Sequence, residues 1–210
     1  MRKLVLKMSI TIDGFVGGPN GELDWLFRTM CERGKSWALD TAANASVHIM
    51  GSRTFNDMKA YWPYSNDVLA APMNDIPKIV FTRKGLAGGT TTTAIKDAKA
   101  ADKTNGIELS NESNALGSWL NAVVASGDLA EEIKKLKEQP GNYILAHGGA
   151  SFAQSLISTG LVDEYRLLIH PVVLGNGLSI FSKIHDHIDM QLVSSTTLDK
   201  WCIANVYEPC

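Results

Sequence analysis

Cysteine is scarce in this chain: Cys31, Cys202 and Cys210 are all there is, and no two of them stand in a CxxC spacing. An odd count without paired spacing speaks against a disulfide framework and fits a reducing interior, so a cytoplasmic location is expected. Long apolar runs are also missing. The opening Met1–Ile12 is basic and then apolar, but Lys7 interrupts it and Asp13 soon follows, so it reads as a first strand and not as a leader. No membrane partner is expected. Charge of one sign is lacking too. Twenty Lys and Arg stand against 22 Asp and Glu, and the net charge of -2 leaves no basic footprint for nucleic acid. There is no Pro/Ser-rich linker, no composition break and no internal repeat.

What is present suits one compact enzyme domain over 1–210. A chain of 210 residues with 45% hydrophobic content can bury a large core. Leu4 to Ile12 reads as a strand, followed by a glycine-rich loop from Asp13 to Gly21. Ser36 to Ala45 reads as a helix feeding a strand over Val47 to Met50, and Phe55, Met58, Tyr61 and Trp62 mark a short helix before Pro63. Trp119 to Ala125 has strand character. Asp128 is placed to cap a helix from Leu129 to Glu138, which Pro140-Gly141 ends. Glu164 to Val173 is a strongly apolar strand, and Met190 to Leu198, a turn at Asp199-Lys200, and Trp201 to Tyr207 form a hairpin. The expected fold is an α/β mixed, mostly parallel sheet flanked by helices, with a C-terminal antiparallel β-hairpin. The polar region 85–118 reads as a variable insertion, and no site is assigned to it.

Three strand ends carry phosphate chemistry. The stretch Asn142 to Ile157 runs from a buried strand through Gly148-Gly149 into an amphipathic helix, where glycine lets the backbone approach an anion and Ala150 and Ser151 open the helix. Such a turn also serves as a packing device, so taken alone it leaves both readings open. A second strand, Val47 to Met50, delivers Gly51, Ser52, Arg53 and Thr54 to a helix start. A third, Pro77 to Phe81, ends on Thr82, Arg83 and Lys84, donors suited to a phosphate monoester. In an open α/β sheet ligands lie outside the carboxyl ends of strands, so the three ends are expected to meet one dinucleotide.

Five segments together carry a family likeness: Met8-Ser-Ile-Thr-Ile-Asp-Gly-Phe15, Met50-Gly-Ser-Arg-Thr-Phe55, Thr82-Arg83, the Gly148-Gly149 turn, and Gly160-Leu-Val-Asp-Glu-Tyr-Arg-Leu-Leu-Ile-His-Pro-Val-Val-Leu-Gly-Asn-Gly177 with Phe181. On these the chain resembles the dihydrofolate reductase-like superfamily. Within it the chain is similar to the reductase domain of the bifunctional riboflavin-biosynthesis deaminase-reductase and its stand-alone relatives. The resemblance implies hydride transfer from NADPH, with NADH not excluded, to a pyrimidine- or pterin-like heterocycle, in a homodimer. It implies cofactor contacts from Gly51, Ser52, Arg53, Thr54, Thr82, Arg83, Lys84, Gly148, Gly149, Ala150 and Ser151. Two residues depart from the pattern. Ser52 stands where an arginine is commoner, which weakens strict NADPH selectivity, and Phe15 stands where the riboflavin enzymes commonly carry lysine, which weakens the case for a phosphoribosyl substrate. The chain has no His-x-Glu with a later Pro-Cys-x-x-Cys, so the zinc deaminase activity is not expected in it.

A cofactor that carries the hydride leaves the protein to position two molecules and manage one proton. No nucleophile triad is visible, in keeping with that. Asp13, at the end of the first strand, is the preferred catalytic acid, with Asp24 second; an Asp-Gly pair is also an ordinary turn. Trp25 is the candidate apolar wall for a flat substrate, and equally a core residue. His48 and His147 read as core, Asp163-Glu164 as connection chemistry, and Leu174 to Gly177 as a turn near the cofactor or a dimer contact. His185-Asp-His187 lacks nearby further ligands, so no metal is expected. Dihydrofolate reduction, a nucleotide-binding regulatory role without turnover, and a packing-only dimerisation module stay open as alternatives.

Overall fold

Apolar runs punctuated by glycine and polar turns set the order of elements along the chain. They are β1 (Leu4–Thr11), α1 (Asp24–Thr29), α2 (Glu32–Ala43), β2 (Ala45–Gly51), α3 (Ser52–Lys59), a 3-10 turn (Trp62–Tyr64), α4 (Ala70–Asp75), β3 (Lys78–Phe81) and α5 (Thr93–Thr104). There follow α6 (Gly117–Leu120), β4 (Val123–Ala125), α7 (Leu129–Glu138), β5 (Tyr143–Ala146), α8 (Ala150–Ile157), β6 (Glu164–His170), β7 (Met190–Leu198) and β8 (Cys202–Pro209). This computed structural model describes residues 1–86, 92–105, 116–184, 186–199 and 202–210.

The described strands form one sheet in the order β4-β3-β2-β5-β1-β6-β8-β7. All pairs from β4 to β6 are parallel, and β8 joins β6 and β7 antiparallel. Because β5 returns to lie between β2 and β1, the chain diverges to either side of it. That makes the carboxyl edge around β2 and β5 the crevice of an open α/β sheet.

Two apolar layers cover the sheet. On one face Leu4, Leu6, Ile49 and Ile144 pack with Ile133 and Leu136 of α7 and Leu156 and Ile157 of α8. On the other, Val5, Met50 and Leu145 pack with Phe55, Met73 and Trp119. Full burial of each such side chain contributes about 1.5–3 kcal/mol. Asp128 caps α7 as the sequence indicates, its Oδ1 accepting from the amides of Ala130 and Glu131. Asp163 ties the start of β1 to α7, accepting from Leu4 N at 2.6 Å and pairing with Lys137 at 2.6 Å. No helix among the described residues is long and apolar enough to cross a membrane.

Three boundaries differ from expectation. Trp119 to Ala125 is not one strand: Trp119 sits in α6, where its indole N–H donates to Asn74 Oδ1 at 2.8 Å, and only Val123–Ala125 pairs, at the sheet edge. The helix expected over Ser36 to Ala45 starts earlier, at Glu32, because Cys31 provides an N-cap whose sulfur accepts from Gly34 N. The strand after Glu164 stops at His170, since Pro171 cannot donate to a continued ladder. The turn expected at Asp199-Lys200 falls partly outside the described residues, as does His185.

Candidate active site

The strand ends around β2 and β5 meet. β2 runs into α3 through Gly51 and β5 runs into α8 through Gly148-Gly149, and no side chain caps either helix. First-turn amides of two eight-residue helices therefore open at the same edge of the sheet. The two starts are stitched together. Gly149 N donates to Thr54 Oγ1 at 2.7 Å, and Phe152 of α8 stacks on Phe81 at the end of β3 while packing over Gly51. Gly148 has φ +78, and a Cβ there would lie 2.8 Å from Met8 Sδ, so both backbone conformation and space require glycine. Arg53, Arg83 and Lys84 stand exposed beside these ends and form no ion pair among the described residues. Thr82 is used in its own turn, accepting from Lys84 N and donating to Gly85 O. Backbone amides for bridging phosphates beside free cations for a distal one form a donor set that fits a dinucleotide.

Asp13 lies at the end of β1 but is fully engaged. Its carboxylate accepts from Thr11 Oγ1 at 2.5 Å, Gly175 N at 2.7 Å and Leu174 N at 3.0 Å. The Thr11 hydroxyl, followed by the loop amides, pulls its pKa below the usual carboxylate range. An anion so held clamps the 171–177 loop to β1 and is a poor proton donor. Asp24 pairs with Arg28 at 3.1 Å, both largely exposed, so it brings no carboxylate to the sheet face. Glu22 accepts from Asn20, whose side chain lowers its pKa. Trp25 is buried and meets His170 edge to face at 5.4 Å.

The sheet face opposite α7 and α8 holds what the sequence reading missed. Along β1, residues alternate, and Lys7, Ser9 and Thr11 point away from the layer containing Leu6, Met8 and Ile10. Lys7 lies level with Arg166, and Leu6 lies level with Ala146, which brings Lys7 next to His147. His147 meets His48 of β2 edge to face at 4.6 Å. Lys7 is half-buried and forms no ion pair or side-chain hydrogen bond among the described residues. Burial lowers its pKa to about 8. Burial, with the nearby cations, also holds His147 well below its ordinary value, and burial brings His48 and His170 to about 4, so all three imidazoles are neutral near pH 7. The face is a polar floor directly before the Gly148 turn, with Arg166 level with Lys7 and Lys78 level with His48. Polar residues at every second position of a strand with an apolar partner face were the available signal. Among the described residues, no group of three or more His, Cys, Asp and Glu could hold a metal.

A sheet with this topology, two helix starts stitched together at its carboxyl edge and a polar floor beside them define an open α/β fold with a candidate site at the strand ends. The chain belongs to the RibD C-terminal domain family, whose model matches residues 2–203. It is 30% identical over 207 residues to the uncharacterized protein YyaP of Bacillus subtilis, covering 98% of this chain and 94% of that one. Among solved structures it is similar to a riboflavin biosynthesis protein of a Shewanella species, with TM-score 0.67, 17% identity, and coverage of 100% and 99% of the two chains. It is also similar to the deaminase/5-amino-6-(5-phosphoribosylamino)uracil reductase of Thermotoga maritima, with TM-score 0.66 and 15% identity, where all of this chain spans 57% of that one. A dihydrofolate reductase from Enterococcus faecalis complexed with NADP(H) shares the fold at TM-score 0.57 and 13% identity, with coverage of 99% and 96%. The dihydrofolate reductase-like fold is thereby established for this chain, and an oxidoreductase of the riboflavin-reductase type is the function the family supports.

Proposed function

We propose that this protein is an NADPH-dependent reductase acting on a small pyrimidine- or pterin-like heterocycle, similar to the 5-amino-6-(5-phosphoribosylamino)uracil reductase of riboflavin biosynthesis. The observation that carries the reading is the contact between the starts of α3 and α8, made through Gly149 N and Thr54 Oγ1, with Lys7 on the floor alongside. Amides of Ala150 and Ser151 would hold the pyrophosphate, with Gly51, Ser52, Gly148 and Gly149 as the close backbone. Arg53, Arg83 and Lys84 would meet a distal phosphate, a donor set that favours NADPH over NADH despite Ser52. When bound, the nicotinamide supplies the hydride. Asp13 fixes the 171–177 loop to the end of β1. Lys7, an ammonium near neutral pH with no counter-ion, holds the proton that the reduced nitrogen takes up, and is reprotonated from water.

The reading extends to the assembly and the compartment. Among the described residues edge strand β7 pairs with β8 alone and leaves Leu192 and Val193 exposed, an open edge that supports a homodimer. Three free cysteines support a cytoplasmic setting. The test is turnover: purified protein is expected to consume NADPH with the ribosylaminopyrimidine substrate and not with dihydrofolate. Binding without consumption of NADPH by either would support a regulatory protein instead, and consumption with dihydrofolate alone would make it a folate reductase.

A further inference from the structure

Six buried side-chain polar atoms lack a hydrogen-bond partner among the described residues, and four of them belong to Trp25, His48, His147 and His170. The three histidines lie on the floor around Lys7, and Trp25 closes over one of them. Native proteins seldom leave such groups unmet, and a cluster of them beside a reaction site marks where a ligand's polar edge goes. At Trp25 and His170 the chemistry of each missing partner can be worked out. Thr29 has one hydroxyl proton, and it goes to the carbonyl of Trp25 at 2.7 Å. Its oxygen must therefore accept from His170 Nδ1 at 2.8 Å, which puts the ring proton on Nδ1. The Cys202 thiol donates to Thr29 O at 3.4 Å, so it gives no proton to the same nitrogen 3.5 Å away. His170 Nε2 is thus a bare lone pair. Trp25 Nε1 can only donate.

An acceptor and a donor, both deeply buried and both unmatched, share one ring contact between α1 and the end of β6. We propose that Trp25 and His170 are specificity-determining residues of the reductase site. The indole N–H donates to a carbonyl, and Nε2 accepts from the neighbouring N–H, of a cyclic-amide edge on the substrate. The proposal rests on the reductase reading for its location and adds the demand that the substrate present this edge. Substrate entry lifts Trp25 off His170, inserting the edge between them.

The experiment uses ¹⁵N-labelled full-length protein, with and without NADP⁺, titrated with 6-aminouracil and with 6-amino-1,3-dimethyluracil, the same ring without ring N–H. The indole signal of Trp25 is assigned by its loss in Trp25→Phe. It is expected to move on adding 6-aminouracil. The dissociation constant for that probe should rise about tenfold in Trp25→Phe and in His170→Asn, the loss of one neutral hydrogen bond, while Asn keeps the donor to Thr29. The dimethyl probe, which keeps the carbonyls but offers no ring N–H, should bind wild type more weakly than 6-aminouracil and lose nothing further in His170→Asn. An unmoved Trp25 signal at saturation, equal affinities across the variants, or no binding of 6-aminouracil would overturn the proposal. A buried water would then be the partner of the pair. A Trp25 shift in a protein that fails to bind NADP⁺ would contradict the reductase reading and leave the assignment of this pair standing.

Discussion

The glycine corner at the strand ends and the polar floor lie side by side on one sheet, yet they are built in opposite ways. The corner is made of consecutive residues: Gly51 to Thr54 and Gly148 to Ser151 are short runs in which a strand ends, a glycine turns and a helix begins. The floor is made of single residues, Lys7, His48, His147 and His170, contributed by β1, β2, the turn after β5 and the end of β6. A run of residues has a local physical meaning that can be read without the fold, whereas a floor acquires meaning only once the strands are in register. The corner was therefore legible and the floor was not.

Four predictions press on this contrast. The largest concerns the histidines of the floor. His48 and His170 titrate near 6.5 when unfolded and at about 4 when folded, so between those values the unfolded chain binds more protons. Their contribution is fully present above about pH 6.5 and is lost as pH falls through about 4, amounting to about 3 kcal/mol for each. Urea unfolding at pH 7 and pH 4.5 checks this, and in His48→Gln the fall in stability should be smaller than in the wild type. An unchanged pH dependence would mean that His48 is not buried as neutral imidazole.

Lys7→Met comes next and separates the two regions most cleanly. Turnover should fall about a hundredfold, a typical loss for a general acid, while NADPH affinity stays as in the wild type. The same change should raise thermal stability, since a half-buried ammonium whose pKa is lowered to about 8 is replaced by an apolar chain of similar length. In the wild type, turnover should decline above about pH 8 as Lys7 loses its proton. A Lys7→Met enzyme with normal turnover would remove the floor from the mechanism.

Gly148→Ala tests the corner as packing. The positive φ and the 2.8 Å approach to Met8 Sδ should cost about 1–3 kcal/mol, measured by thermal denaturation, unless Met8 yields. Smallest is Thr54→Val. Loss of the acceptor for Gly149 N should cost about 1 kcal/mol of stability and loosen nucleotide binding a few-fold in a fluorescence titration.

Most of the sheet was readable because its central strands carry buried apolar residues at least along one face and are bounded by glycine, proline or a capping residue. The antiparallel end followed from two strand-like runs, Met190 to Leu198 and Trp201 to Tyr207, set about a short turn. The region from Trp119 to Ala125 misled because its valines are exposed at an edge, Val123 at 60%, so their β-branching reflected a three-residue strand and not a buried one. Asp13 was legible in position but not in state: nothing in Thr-Ile-Asp-Gly discloses that the amides of Leu174 and Gly175, far along the chain, take up its carboxylate. Lys7 was passed over as an interruption in an apolar run. Only its neighbours across β5 and β6 reveal what it interrupts.

The central claim is that one nucleotide sits where the starts of α3 and α8 touch. Titrating NADPH into wild type and Gly149→Asp, with nicotinamide fluorescence as readout and circular dichroism to establish folding, tests it most directly. Saturable binding to the wild type and none to the folded variant is predicted, because the new carboxylate would face the pyrophosphate. Equal binding by both proteins would contradict the account, as would a wild type that binds no nucleotide.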